Sequence, residues 1–392
     1  MIDTRVPAAM FALLRTVFDE RNALTDSEKE IIRANVGNIY GICERCDMAH
    51  LAGYALERAG LISPYDECFK NLQEQQFIAM IRCEGMEYEL SRIRSVFERN
   101  GIKFIPLKGA IIRDLYPEGW MRTSSDIDVL VEKESLDKAQ SCMVSELGYK
   151  TGKESRHDHS LHSPGGVHVE LHFDLMDDGK ASPLRDIMSQ AWSLAAPVRE
   201  GSFEYCLSDD MFYFYHVAHL AKHIKWAGSG MRPLLDMWLI NNKGRKNKEL
   251  YARELLKEAS LDQFAELCEE ISEHWFGEKT QISDTARKLE NFILNCSTYG
   301  NMENRIIMVN DIYGGPKGYV LKRIFLPYNM LAMIYPIIKK HKWLTPFCEV
   351  ARWFKLLSKG MIKKAIAEVK FSKSATKERI SDMRDFITEI GL

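Results

Sequence analysis

Asp126 and Asp128 stand one residue apart in the stretch Arg122–Val131. Side chains alternate along a strand with period two, so the two carboxylates share one face and Ile127, Val129 and Val131 share the other. Two acids side by side at the start of a buried strand repel each other and lose solvation. A cation between them relieves both costs. Oxygen-only donors suit a hard divalent ion, Mg²⁺ or Mn²⁺, and Mg²⁺ commonly arrives with substrate phosphates. The plain structural reading is that Asp126 caps a turn and Asp128 is solvated at a sheet edge; a bare Asp-x-Asp does not decide between the two. Its neighbours tilt the balance. Phe104–Leu107 followed by Lys108, Gly109 and the helix-like run Ile111–Tyr116 reads as strand, glycine turn, helix, an arrangement that brings backbone N–H groups to phosphate oxygens. Downstream, Val167, Val169, Leu171 and Phe173 alternate with His168, Glu170, His172 and Asp174, so a third carboxylate, Glu170, lies on a strand that can pair with the first.

This combination resembles the nucleotidyltransferase superfamily of DNA polymerase beta. More narrowly, Leu107-Lys108-Gly109, Tyr116-Pro117, Arg122, Asp126-Ile127-Asp128 and Glu170-Leu171-His172 are similar to a bacterial family of uncharacterised nucleotidyltransferases. The specific part covers about residues 100–175. The resemblance implies an α+β fold with a small mixed sheet, metal ions held by Asp126, Asp128 and Glu170, and transfer of a nucleoside monophosphate from an NTP, ATP or GTP, to an acceptor. Lys108, Gly109, Arg122, Ser124 and Ser125 become nucleotide-binding candidates. The superfamily's Gly-Ser after the first strand is here Gly109-Ala110, so the hydroxyl that would touch phosphate is missing, with Ser124, Ser125 or Lys108 as substitutes.

The elements that must position these groups can be read around them. Strands are expected near 103–107, 127–131, 149–153, 157–162 and 168–175, with a helix over 136–147 capped by Ser135. The chain divides into an N-terminal helical segment (1–100), the catalytic core (101–205), a helical domain closing the cleft (206–295) and a basic C-terminal helical segment (296–392). In the first, Thr25 and Glu28 form a capping-box pattern, and Phe77, Met80, Ile81 and Met86 mark an apolar helix face. In the third, a helix from Ser208 to Trp226 is apolar on most sides, and a helix of that kind is buried. Its His216, His219 and His223 form one stripe, read either as satisfied core histidines or as a wall in which His219 and His223 meet phosphate or base. Arg232 and Asp236 on the next helix point into the cleft or form a surface pair.

Two features, a Cys-x-x-Cys with a histidine and a histidine-rich hairpin, invite zinc. Cys43, Cys46 and His50 could share a helix face, but a structural zinc site wants four ligands. His157, His159, His162, His168 and His172 crowd one hairpin, without a helical His pair and glutamate base.

The chain is near neutral, with 53 basic and 55 acidic residues, so no global polyanion partner is implied. Nine scattered cysteines suggest a reducing, cytoplasmic setting. No signal peptide or membrane span is expected. Between Lys317 and Arg379, 15 basic residues face 3 acidic ones. Phe325–Ile338 reads there as an apolar helix flanked by Lys339, Lys340 and Lys342, with Trp343, Trp353 and Phe354 near. A solvated basic face, an anionic acceptor, nucleic acid without a recognised motif, and an anionic membrane surface all fit. For the whole chain the competing functions are a non-catalytic binding module on the same fold and a phosphotransferase using the same metal pair.

Overall fold

A computed structural model of the chain describes residues 5–19, 22–176, 182–243, 249–298, 300–358, 368, 372 and 376–392. It divides into two compact units. One comprises Met1–Ala221 and Gly230–Thr298; the other comprises Lys222–Ser229 and Tyr299–Leu392.

The first unit opens with helices α1 (Arg5–Phe18), α2 (Asp26–Ala34), α3 (Val36–Arg45), α4 (Ala49–Arg58) and the long α5 (Phe69–Arg99). The capping box at Thr25 and Glu28 forms as its residues dictate. A five-stranded mixed sheet follows: β1 (Phe104–Pro106), β2 (Asp126–Val131), β3 (Lys150–Glu154), β4 (Asp158–His162) and β5 (His168–His172), in spatial order β1-β2-β5-β4-β3. The β2–β5 pair is parallel and the rest are antiparallel. Short α6 (Gly109–Ile112) follows β1, and α7 (Leu136–Leu147) crosses from β2 to β3. The chain thus meets the expected α+β class, a small sheet with helical flanks.

The period-two pattern sets the sheet's two faces. Ile127, Val129 and Val131 of β2 and Val169 and Leu171 of β5 are buried with Met86, Leu90, Ile93 and Phe97 of α5 and Ala139, Met143 and Leu147 of α7. The opposite face carries the acids and histidines. Phe77, Met80 and Ile81 do not join this core: Phe77 is 64% exposed and Ile81 56%. The 31-residue α5 lies on the sheet only through its C-terminal half, while its N-terminal half packs on α4 through Leu72 and Ala79. Ser135 makes no side-chain cap, because a 3-10 turn over Lys133–Ser135 already leads into α7.

After β5 come α8 (Pro183–Ser189), a two-stranded hairpin of β6 (Ala195–Pro197) and β7 (Tyr205–Leu207), and then α9 (Asp209–Trp226), α10 (Arg232–Lys243), α11 (Glu249–Glu258), α12 (Asp262–Phe276) and α13 (Asp284–Leu294). Tyr213, Phe214, Tyr215, Val217, Leu220 and Ile224 of α9 are buried, as an all-round apolar helix requires.

The second unit contains α14 (Met302–Ile312) and α15 (Pro316–Ile324). The expected apolar helix Phe325–Ile338 is broken into α16 (Tyr328–Ile334) and α17 (Ile337–Lys340). Pro327 and Pro336 stand at the two breaks, where proline cannot continue a hydrogen-bonded helix. α18 (Thr345–Ser358) and α19 (Lys377–Glu389) complete the unit. Of the basic run, Lys359, Lys363, Lys364, Lys370 and Lys373 fall outside the described residues. No described helix is long and apolar enough to cross a membrane.

Candidate active site

The parallel β2–β5 register sets Asp126 beside His168 and Asp128 beside Glu170. Because both strands turn the same parity of residue outward, all four side chains share the face away from α5. Ligand atoms of Asp126, His168 and Glu170 lie within 4.8 Å of one another, as do those of Asp128, Glu170 and His172. Glu170 is therefore common to both groups, close to Asp126 in one and to Asp128 in the other.

Asp128 is buried. Lys108 Nζ donates to its Oδ1 at 2.9 Å, and His172 Nε2 donates to the same oxygen at 2.8 Å. Burial works against the charged carboxylate, but the lysine and the imidazole more than offset it and hold Asp128 well below the usual range. Lys108 answers in kind. Burial disfavours its ammonium, yet the Asp128 charge outweighs this and keeps it protonated. His172 Nε2 also lies 3.5 Å from Glu170 Oε2. Burial alone would lower the imidazole's pKa, but the bonds to Asp128 and Glu170 raise it to about 9. The same contact, its largest influence, lowers the pKa of Glu170. Asp126 goes the other way: burial first, then the Asp128 charge, raise its pKa. The site thus holds three acids on one face, a half-buried lysine and a protonated imidazole, with Asp126 lacking the direct bonds that Asp128 has. Those oxygen donors fit a divalent cation.

The loop before β2 is clamped from behind. Arg122 Nη2 donates to Asp236 Oδ2 at 2.8 Å and Nε to Oδ1 at 3.3 Å, while Nη1 donates to Ser124 Oγ at 2.7 Å. Tyr116 OH donates to Asp236 Oδ1 at 2.8 Å. The Arg122–Asp236 pair is buried. Arg232 Nη1 donates to Asp47 Oδ2 at 2.9 Å and to Thr123 Oγ1 at 3.0 Å, and His50 Nε2 donates to the Met121 carbonyl at 2.9 Å. Neither Arg232 nor Asp236 is a surface ion pair. Gly109 is fixed from the same side: a Cβ there would stand 2.1 Å from Ser124 Oγ and 2.8 Å from Arg122 Nη1. Its glycine is required by close packing, quite apart from any phosphate. Lys108 before it takes the left-handed φ of +46°, a conformation that costs a non-glycine residue on the order of 1–3 kcal/mol.

The remaining candidates separate. Ser124 is buried behind the loop, and Ser125 is exposed next to Asp126. α9 reaches the site through Tyr215, whose buried hydroxyl bonds Lys108; nothing in the sequence signals it. His219 is half-buried with its ring 6.0 Å from that of Tyr215. His216 donates Nε2–H to the Pro233 carbonyl at 2.9 Å, the satisfied core role. His223 is half-buried one turn further along the helix, in the second unit.

The zinc readings do not assemble as drawn. Helix α3 ends before Cys46, so Cys43, Cys46 and His50 share no face; Cys43 Sγ instead packs 3.6 Å from Met10 Sδ. In the hairpin, His159 contacts Gln140 at 2.6 Å and His162 stacks on His168. His157, Asp158 and His172 do approach one another.

The sequence matches the profile of a family described as "Uncharacterised nucleotidyltransferase" over residues 33–277, more than half of the chain and inclusive of every group above. Among solved structures, the solution structure of the antibiotic-resistance factor ANT(2'')-Ia is similar at 13% identity, with a TM-score of 0.34, over 47% of this chain and 96% of that chain. No curated protein matches.

Two outcomes follow from the geometry. Asp236→Asn strands the buried Arg122 charge and is expected to lower unfolding free energy by about 3–5 kcal/mol, read by urea denaturation; a loss near zero would remove Asp236 as the brace. His172 has a folded-state pKa of about 9 against 6.5 free, so the stability it contributes is present below about pH 6.5 and is lost as pH rises through 9. The stability gap between the native protein and His172→Gln should therefore narrow across that window. A gap that is constant with pH would contradict the charged pairing.

Proposed function

The chain belongs to the uncharacterised nucleotidyltransferase family, and from that premise we propose that it is a Mg²⁺-dependent enzyme moving a nucleoside monophosphate from an NTP to an acceptor hydroxyl. Membership carries nucleotidyl transfer and an NTP substrate in general. The observation that carries the finer reading is the placement of Asp126, Asp128 and Glu170 on one sheet face, Glu170 near each aspartate, beside half-buried Lys108. Mn²⁺ fits the same oxygen donors.

In this reading the three carboxylates hold the cation. Lys108 and His172 both bond Oδ1 of Asp128, which leaves Oδ2 as its donor. When bound, the divalent ion neutralises triphosphate charge and polarises the reacting phosphorus. Lys108 supplies the fixed positive charge beside the triphosphate. Ser125, exposed next to Asp126, and His219 beside Tyr215 are the further nucleotide contacts. Gly109, Ser124 and Arg122 act from behind, holding the loop in place. Glu170, kept ionised by His172, takes the proton of the attacking hydroxyl. A bond forms from that oxygen to the α-phosphorus, the α–β bridging bond breaks, and pyrophosphate leaves.

Labelled NTPs test this. Incubation with a cell lysate and Mg²⁺ should move label from the α-phosphate, and not from the γ-phosphate, into an acceptor, and EDTA should abolish the transfer. Asp128→Asn should reduce the rate roughly 100- to 1000-fold, the loss of several kcal/mol of charge stabilisation. Transfer of γ-label would make the protein a phosphotransferase. Nucleotide binding without transfer to any acceptor would favour the binding module.

A further inference from the structure

α18 is built the wrong way round for a helix of a water-soluble surface. Its buried face carries the charges. Arg352 Nε donates to Glu349 Oε2 at 2.7 Å, Arg352 Nη2 donates to the Ile324 carbonyl at 2.5 Å, and Glu349 Oε1 accepts from Leu326 N at 2.6 Å. Trp353 Nε1 adds a bond to the Ile324 carbonyl at 2.9 Å. The ion pair thus satisfies the backbone groups freed where α15 stops before Pro327. Because the charged side is used inward, the other side faces out, and it is apolar. Phe347, Val350 and Phe354 recur at helical spacing with exposures of 65%, 43% and 67%. Trp343, on the 3-10 turn Lys342–Leu344 leading into the helix, extends the stripe at 70% exposure, its ring 6.2 Å from that of Phe347. Ile334 and Ile337 are exposed as well.

The charge around this stripe has one sign. From Lys317 to Ser358 there are eight basic residues and one acid, Glu349, which is buried in its ion pair. Lys339, Lys340, Lys342 and Lys355 are exposed. Exposed apolar stripes of this kind mark interaction surfaces. A Trp- and Phe-bearing helix flanked by lysines is the pattern that lies in a lipid headgroup layer, its apolar face in the acyl boundary and its cations on anionic headgroups. Single-stranded nucleic acid would use the aromatic rings for stacking, but gains nothing from Val350, Ile334 or Ile337.

We propose that α18, with Trp343 and the lysines beside it, docks this protein on an anionic membrane surface. The helix lies in the interface and does not span it. The docking is independent of nucleotidyl transfer, since the second unit carries all of it.

Flotation of the full-length protein with phosphatidylcholine vesicles, with and without phosphatidylserine, tests it. The protein should float with the phosphatidylserine vesicles, less as salt rises, and not with phosphatidylcholine alone. The Lys339/Lys340/Lys342→Gln triple variant should lower partitioning roughly 100-fold, on the scale of about fivefold for each lysine near an anionic surface. Phe347→Ser/Phe354→Ser should abolish flotation with the lysines still present. Those side chains are exposed, so the melting temperature should hold, and Phe347→Trp should keep binding. Asp128→Asn should float like the native protein, which separates this test from that of the transferase reading. Absence of flotation at low salt overturns the proposal. So does flotation untouched by the aromatic substitutions, competition by inorganic phosphate alone, or an oligonucleotide or second copy of the chain that requires the same aromatic residues while vesicles do not bind.

Discussion

One buried carboxylate organises the first unit's chemistry. Asp128 sits on a desolvated strand, where an ionised acid is costly unless it is paired and hydrogen-bonded. Lys108 and His172 supply both, on a single oxygen. Much of the local structure serves those two contacts. Lys108 stands at a strained φ between β1 and α6, and β5 runs parallel to β2 in the register that brings His172 alongside. Tyr215 holds the lysine from α9. The pairing also divides the labour among the acids: Asp128 and Glu170 are held ionised, while at Asp126 burial and its neighbour's charge outweigh the relief from Lys108 and His168. That imbalance is what a divalent cation would correct.

The second constraint lies behind the first. Arg122 has the residue type and place of a phosphate-binding group, yet its guanidinium is committed to Asp236, with Ser124 and Tyr116 completing the cluster. Arg232, Asp47 and Thr123 make a parallel clamp. These bonds tie the loop before β2 to α10 and to the N-terminal helices.

The sequence made the sheet legible because its signals are local. Alternation in β2 and β5 separates core from chemistry residue by residue, and the strand-glycine-helix turn at Lys108-Gly109 is equally short-range. What it hid depends on distance. Nothing near Arg122 announces a partner 114 positions away, and nothing in the glycine at 109 says that Ser124 occupies its Cβ space. Tyr215 stands just before His216, His219 and His223, whose spacing is the more conspicuous signal on that helix. On α5 the apolar spacing is real at Phe77 and Ile81, but that half of the helix packs on α4 through Leu72 and Ala79 and not on the sheet. In the C-terminal unit, Pro327 and Pro336 were visible breaks inside a run that composition alone made look continuous. The inward Glu349–Arg352 pair could be seen only once the break it repairs was known.

The central claim is that Asp126, Asp128 and Glu170 together hold the divalent ion that carries an NTP. Anomalous diffraction from crystals grown with Mn²⁺ and a non-hydrolysable NTP addresses it most directly. The account predicts manganese in contact with all three carboxylates and the triphosphate beside Lys108. Manganese bound elsewhere, with Asp128 still enclosed by Lys108 and His172 and the nucleotide away from the β2–β5 face, would contradict it.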